Sequence, residues 1–561
     1  MQKLWRLLPP DAELALKLSQ ELKLTPLTAQ VLMNRGMKDT NRARQFLKPI
    51  LSYLKDPFEI PHIRPAAERV LKAAQSGEKV LVYGDYDVDG VTGTVIMLET
   101  LRHLGMKPEF YIPHRYGEGY SLNAEAVKKF KDEGIKLIIT VDCGIASLIE
   151  IELANSLGMD VIVTDHHNLP TRLPNAFSLV NPKLIKAEHP SKYLSGAGVA
   201  FKFAWALLRS AGDKENGFLT DLLDLAALGT VADVVPLTDE NRILAVVGIN
   251  RINEKKRLGL KYLVEAAGIS GRVSIDRINF GLSPRINASG RLEHASLSVK
   301  LLTSTDPVEA RTLAQQLNTI NTRRQGIGGD IQEEVFAQLK VTDDQKIIIA
   351  SGEGWHPGVI GIVASRVVDA YFRPTVLIGI NEGVGRGSAR SIEDFNIFAI
   401  LDTCRDLFSD FGGHEGAAGF EIDPGNIPEL KRRLEEKIRE FATSEIFTPK
   451  LMIDCELDAK QITLGLIKEL EALAPHGQGN PAPVFMTRGL KIKDVKKVGN
   501  NGGHLKLRFS NGLESIGFRL GELAGGLSYE KTYDIAYNLE TNEWNGFESA
   551  QLNLVDIKES Q

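Results

Sequence analysis

The sequence predicts an α/β multidomain protein. It should hold a parallel-sheet domain, a connecting helix, a smaller α/β domain and a C-terminal β-barrel. Three observations carry this. Short β-branched apolar runs alternate with helical stretches from about residue 65 to about 240, the pattern of βαβ units. A second alternation of the same kind occupies about 345 to 445. Beyond it, short period-two runs are separated by Asn- and Gly-rich turns. At 561 residues the chain is too long for one hydrophobic core, so three or four domains are expected.

With 43% apolar and 25% charged residues, this is the composition of an ordinary globular protein rather than a disordered or fibrous one. No apolar run approaches membrane-spanning length, so no membrane role is expected. The run Leu4–Leu8 is too short for a signal sequence and meets Pro9-Pro10. Cys143, Cys404 and Cys455 lie far apart, which fits neither a disulfide framework nor a zinc cluster and suits a reducing cytoplasm. The net charge of −5 does not advertise a nucleic-acid binder, but an acidic metal site and a basic groove cancel in such a sum. Locally, seven Lys/Arg stand against one acid between Val484 and Ser510.

Residues 1–50 read as amphipathic helices broken near Thr25-Pro26 and Asn41, with no chemistry assigned. The following domain, 51–300, carries the chemical residues. Val80–Tyr83 reads as a buried parallel strand, followed by Gly84-Asp85-Tyr86-Asp87-Val88-Asp89-Gly90 and a helix from Val91 to Leu104. In an extended or turning segment, alternate side chains share a side, so Asp85, Asp87 and Asp89 could point one way. Like charges so placed need solvent or a cation among them. The strand Leu137–Val141 ends in Asp142, and the strand Val161–Thr164 ends in Asp165-His166-His167. In open α/β sheets, ligands bind beyond the carboxyl ends of the strands, so these acids and imidazoles are delivered to one edge. Asp233 follows a helix as a lone acid among Val and Ala, where an unpaired charge is costly. Taken singly, each has a bland reading: a solvated turn, a helix cap for Asp142, a surface turn for His166 and His167, a salt bridge for Asp233. Together they point to a metal site. An oxygen-rich set with one or two imidazoles suits Mn²⁺ or Mg²⁺ better than Zn²⁺. Two ions sharing a carboxylate, with Asp142 the expected shared ligand, would serve phosphoester hydrolysis.

Residues 301–344 read as a connecting helix. Gly326-Ile327-Gly328-Gly329 is a poor helix interior, so a kink or a break is expected there. The second α/β unit, 345–447, has strands at Lys346–Ala350 and Val376–Ile380. Gly385-Arg386-Gly387-Ser388-Ala389-Arg390 and Gly412-Gly413-His414 are its chemical stretches, because glycines let amides approach a phosphate and arginine pairs with it bidentately. The last segment, 448–561, has strands at Lys491–Val498, His504–Phe509 and Glu514–Phe518. Short strands, Gly turns and a basic face fit an OB-fold barrel, which binds single strands by charge and stacking. Phe485, Phe509, Phe518 and Trp544 are the aromatics available for stacking.

The motifs GDYDVDG, VDCG, TDHH and GTVADVVPL, in this order, resemble the DHH phosphoesterase superfamily. Ser283–Leu292 (SPRINASGRL) resembles a segment of the RecJ family within it, and so does Leu473–Pro481. The resemblance implies a single-stranded-DNA-specific 5′→3′ exonuclease using two Mn²⁺ or Mg²⁺ ions, acting in DNA recombination, repair and mismatch repair. By motif match it implies Asp87, Asp89, Asp142, His166 and Asp233 as metal ligands. Asp85 matches the first acid of its motif, as a ligand or a support. It casts Asp165 as the group orienting an imidazole, and His167 as facing the scissile phosphate beside Asp142 as a catalytic group. The glycine-rich segments after the DHH motifs resemble the DHHA1 domain. His414 is then a catalytic candidate lining the substrate cleft, with Arg386, Ser388 and Arg390 near a 5′ phosphate. Arg115, Arg285, Asn287 and Arg291 are further phosphate candidates. The resemblance also implies a monomer that works with a single-strand-binding protein and a RecQ-type helicase. Two alternatives stay open on the residues alone: a DHH phosphodiesterase acting on short oligonucleotides or cyclic dinucleotides, and an inactive DNA-binding relative.

Overall fold

The structure is a computed structural model that describes residues 3–115, 118–119, 121–214, 216–342, 345–441, 444–544 and 546–560. The chain divides into two compact units. The larger comprises Leu7–Gly290, His294–Asn318 and Met452–Gln561, and the smaller comprises Met1–Arg6, Arg291–Glu293 and Thr319–Leu451.

The larger unit begins with α1 (Ala12–Leu22), α2 (Pro26–Asn34) and α3 (Thr40–Leu47). The expected break at Thr25-Pro26 is a helix start: the Thr25 hydroxyl caps the Thr28 N–H and Pro26 takes the first helical position. The parallel sheet follows, with β1 (Val80–Gly84), β2 (Glu109–Tyr111), β3 (Leu137–Val141), β4 (Asp160–Thr164) and β5 (Ser178–Val180) in the order β2-β1-β3-β4-β5. Every adjacent pair is parallel. The order reverses at β1, and the crevice at such a reversal is where this layout binds ligands. Among the helices of this domain are α4 (Val88–His103), α5 (Gly196–Ser210), α6 (Leu223–Ala232), α7 (Asp239–Glu254) and α8 (Ser283–Leu292).

The helix α9 (Pro307–Gln338) runs through its glycines without interruption, so the break into two helices expected at Gly326–Gly329 is corrected. A Cβ at Gly328 would lie 3.2 Å from the Val359 side chain, so close packing uses that glycine. The smaller unit's sheet holds β6 (Ile348–Glu353), β7 (Thr375–Asn381), β8 (Val384–Arg390), β9 (Phe408–His414) and β10 (Ala417–Ile422) in the order β9-β10-β8-β7-β6. Only β6 and β7 pair in parallel. Helix α10 (Pro357–Tyr371) starts at His356, whose Nδ1 accepts from the Gly358 N–H.

The C-terminal strands belong to the larger unit. They are β11 (Cys455–Glu456), β12 (Phe485–Val498), β13 (His504–Phe509), β14 (Glu514–Gly517), β15 (Thr532–Trp544) and β16 (Phe547–Glu559). Their order is β11-β12-β13-β14-β16-β15, and β15 pairs back onto β12, which closes the barrel. Phe485, Leu505, Leu507, Phe509, Ile535 and Tyr537 fill it, and Val31, Leu32, Met37 and Phe46 of the N-terminal helices join the same core. Phe485 and Phe509 are fully buried and therefore cannot stack on a base, whereas Phe518 is exposed. The Trp544 side chain lies outside the described residues. On β12 the alternation leaves Lys491 and Lys493 outward and Leu490 and Ile492 inward.

Candidate metal centre

The three acids after β1 meet by a route other than an extended turn. Only Asp85 ends the strand. Asp87 is the N-cap of α4, its Oδ1 accepting from the Gly90 N–H at 3.0 Å, and Asp89 stands in the first helical turn. The helix therefore starts at Val88, earlier than the expected Val91, and the fold of strand into helix brings the carboxylates round. Asp89 is buried, and its two oxygens accept from the Gly196 and Ala197 N–H groups at the start of α5. A helix N-terminus favours a negative charge, so this acid is held in place from 107 residues away.

Asp142 follows β3 with φ of +62°, a left-handed conformation that turns its buried carboxylate back toward α5. A Cβ at Gly196 would lie 2.5 Å from Asp142 Oδ1, so only glycine fits there. Asp142 caps no helix, because Ser147 holds the N-cap position of the next one. Asp233 ends α6 as its C-cap.

His166 is the hub. Its Nε2 lies 3.1 Å from Asp142 Oδ1, 3.6 Å from Asp233 Oδ2 and 3.9 Å from Asp89 Oδ2. The ring bonds to the Leu194 backbone, and Nε2 makes no hydrogen bond, so Nδ1 carries that contact. Burial, then the neighbouring His167, pushes its pKa down to about 3, so the imidazole is neutral at physiological pH. A neutral ring anchored through Nδ1 offers Nε2 as a ligand.

Asp165 braces the turn. Its Oδ1 accepts from the His166 N–H at 2.7 Å, the His167 N–H at 3.0 Å and His167 Nδ1 at 2.7 Å, and its Oδ2 accepts from the Ile145 N–H at 3.0 Å. Burial opposes its charge, but the bonds and charge of His167 outweigh that and hold its pKa below the usual carboxylate range. His167 is desolvated as well, yet its bond to Asp165 raises its pKa. Asn181 donates to the His167 carbonyl at 3.0 Å.

The donors form three interlocking groups. Ligand atoms of Asp89, His166 and Asp233 lie within 4.8 Å of one another, as do those of Asp85, Asp87 and Asp142, and those of Asp142, His166 and His167. Burial raises the pKa of Asp85, Asp89, Asp142 and Asp233, and charge on the neighbouring acids raises them further. Asp89 reaches about 7 and Asp233 about 9. Among the described residues, the buried Asp85 Oδ1, His166 Nε2 and Asp233 Oδ2 have no hydrogen-bond partner. Buried acceptors left this way are costly, and a divalent cation satisfies them. Five carboxylates and a neutral imidazole fit Mn²⁺ or Mg²⁺ by donor type.

Other expected residues fall elsewhere. Arg115 lies over the Tyr86 ring at 4.8 Å, and its charge acts on Asp85. Arg285 and Asn287 are half-buried on α8. In the smaller unit, Arg291 donates to the Gly358 carbonyl at 2.9 Å. Arg386, Ser388 and Arg390 alternate along one face of β8. Arg386 is ion-paired with Glu421 at 2.7 Å, and Arg390 donates to Ser388 Oγ at 3.1 Å. His414 is exposed at the end of β9, and Ala417 pairs with both His414 and Arg390, so the two share one sheet end. Sequence reasoning missed the Gly196 and Ala197 amides and the Asn181 bracket. The small-residue helix start Ser195–Gly198 was the available signal for the first, since its serine caps α5.

The profile of the DHH family, N-terminal domain, covers residues 79–230, the DHHA1 domain covers 344–440 and the RecJ OB domain covers 453–556. The single-stranded-DNA-specific exonuclease RecJ of Bacillus subtilis is 40% identical over 99% of this chain and 71% of its own length. The chain belongs to the RecJ family. The RecJ of Dickeya dadantii is 34% identical, with 97% of both chains covered. The crystal structure of RecJ in complex with Mn²⁺ from Thermus thermophilus superposes with a TM-score of 0.87 at 32% identity, covering all of this chain and 80% of that one. RecJ membership bears out the α/β multidomain class with its DHH, DHHA1 and OB parts. Among the described residues, no helix is long and apolar enough to cross a membrane.

Proposed function

We propose that the chain is a metal-dependent exonuclease specific for single-stranded DNA, cutting 5′→3′ in recombination, repair and mismatch repair. The observation that carries this is the set of three interlocking donor groups sharing Asp142 and His166 beyond the carboxyl ends of β1, β3 and β4. Family membership at 34–40% identity supports the substrate. Asp89, His166 and Asp233 would hold one ion, and Asp85 and Asp87 the other, with Asp142 shared. When bound, the ions supply Lewis acidity for phosphodiester hydrolysis. His167, held through Nδ1 by Asp165, turns its other ring nitrogen to a phosphate oxygen. Residues 51–300 act as the catalytic domain and 345–447 as the substrate-binding domain. His414, Arg390 and Ser388 meet the strand's 5′ end, and Arg386 does so by exchanging Glu421 for phosphate. The barrel, 448–561, tracks the backbone through Lys491, Lys493 and Lys497. The enzyme works as a cytoplasmic monomer beside a single-strand-binding protein and a RecQ-type helicase.

Digestion of a long single strand labelled at either end tests the reading. Mn²⁺ and Mg²⁺ are each added back after EDTA treatment, with a duplex and a dinucleotide as controls. Stepwise loss from the 5′ end of the single strand is expected. Preference for the dinucleotide, or cleavage surviving in Asp142→Ala, would overturn it.

A further inference from the structure

Phe280 is 80% exposed. It sits in the π-helical turn Ile278–Leu282, which leads straight into α8. Ile278 and Leu282 on either side are fully buried, so the turn is anchored and holds the ring outward. Single π turns recur at functional sites. Arg285 follows at once. Its guanidinium donates to the Gly281 carbonyl at 2.6 Å and to Asn318 Oδ1 at 3.0 Å. Both acceptors are neutral, and among the described residues no carboxylate forms an ion pair with it. The far end of α8 rests on the acidic loop, where a Cβ at Gly290 would lie 2.7 Å from the Tyr86 carbonyl oxygen. Ten helical residues span about 15 Å, the reach of a few nucleotides.

We propose that Phe280 is a stacking platform for one base of the single-stranded substrate and that Arg285 holds the adjoining phosphate. The two form a nucleotide subsite on the approach to the metal centre. Every base has a π face, so such a platform accepts any sequence. A partly desolvated guanidinium with neutral partners gains more from a phosphate than one already paired with a carboxylate. This inference rests on the exonuclease reading and adds a binding residue to it.

The test uses the full chain with Ca²⁺ in place of Mn²⁺, and fluorescence anisotropy of a labelled oligothymidylate. Phe280→Ala should weaken binding on the order of tenfold. Phe280→Trp should restore it, and Phe280→Leu should not. The thermal midpoint should stay unchanged, because the ring is exposed. A strand carrying one abasic site, moved position by position, should lose affinity at one place with the wild-type protein and at none with Phe280→Ala. Arg285→Gln should flatten the slope of log affinity against log salt by about 0.7. Binding by Phe280→Ala within twofold of wild type, full binding by Phe280→Leu, or an abasic profile shared by both proteins would overturn the subsite. Failure of the wild-type protein to bind or cut single strands would instead overturn the exonuclease reading.

Discussion

Asp165→Asn tests the brace behind the metal centre. The native carboxylate accepts four hydrogen bonds, three on Oδ1 and one on Oδ2. Asparagine offers one acceptor oxygen. If that oxygen keeps the three bonds to His166 and His167, the amide nitrogen meets the Ile145 N–H donor to donor. One buried donor then goes unsatisfied, at a cost of about 1–3 kcal/mol. The flipped amide loses three bonds, so the first orientation wins. The larger effect falls on the ligands. Asp165 bonds the backbone N–H of the ligand His166, and groups that support a metal's ligands in this way typically carry about 10- to 100-fold of the metal affinity. Losing the negative charge also removes what raises the His167 pKa, so that ring should release its proton at lower pH. Titration calorimetry of EDTA-stripped protein with Mn²⁺ reads the first effect. The alkaline limb of the pH–rate profile reads the second, and it should move to lower pH. A folded variant whose Mn²⁺ affinity stays within twofold of wild type would refute the reasoning.

Metal-free stability should fall as pH rises from 7 to 9. Burial and neighbouring acids raise Asp233 to about 9, so across this window the folded state holds a proton that the unfolded chain has released, while Asp89, raised to about 7, contributes only at the lower edge. His166 is neutral in both states across that window and adds no slope. Thermal midpoints at three pH values check this, with Mn²⁺ or Asp233→Asn expected to flatten the trend. Lys202 and Glu240 form an ion pair with both side chains fully buried, bonded also to Lys55 and Ser191. Lys202→Met should destabilise by about 3–5 kcal/mol, and a paired Lys202→Met, Glu240→Leu change by less than the sum of the two single changes, read from urea unfolding of the larger unit. Gly229→Ala places a methyl 2.5 Å from Asp89 Oδ1, so Mn²⁺ affinity should drop while single-strand affinity in Ca²⁺ holds.

The buried strands were the most legible part of the sequence. Leu137–Val141 was expected and observed with the same ends, because a continuous apolar run bounded by polar residues admits little else. The barrel's second strand was legible only in half. Phe485–Thr487, its first three residues, are buried and lack the alternation that marks Lys491–Val498. The acidic turn was legible as chemistry but not as geometry. A helix that starts on Asp87 and Val88 looks like loop until its cap is seen. The support for Asp89 was not legible at all, since it comes from amides that only tertiary packing brings near. Local propensity misjudged α9 as well, where a neighbouring helix fills the space that Gly328 leaves.

The barrel's core draws on both ends of the numbering: Phe46 and Val31 pack with Cys455, Leu505 and Tyr537. During synthesis the early helices therefore wait for apolar cover until the last strands emerge. About 400 residues separate them, which takes roughly 20–80 s at ordinary elongation rates. Through that interval a sticky helical face stands open on the nascent chain, a natural foothold for a chaperone. A fragment stopped ahead of the barrel would keep that face bare for good.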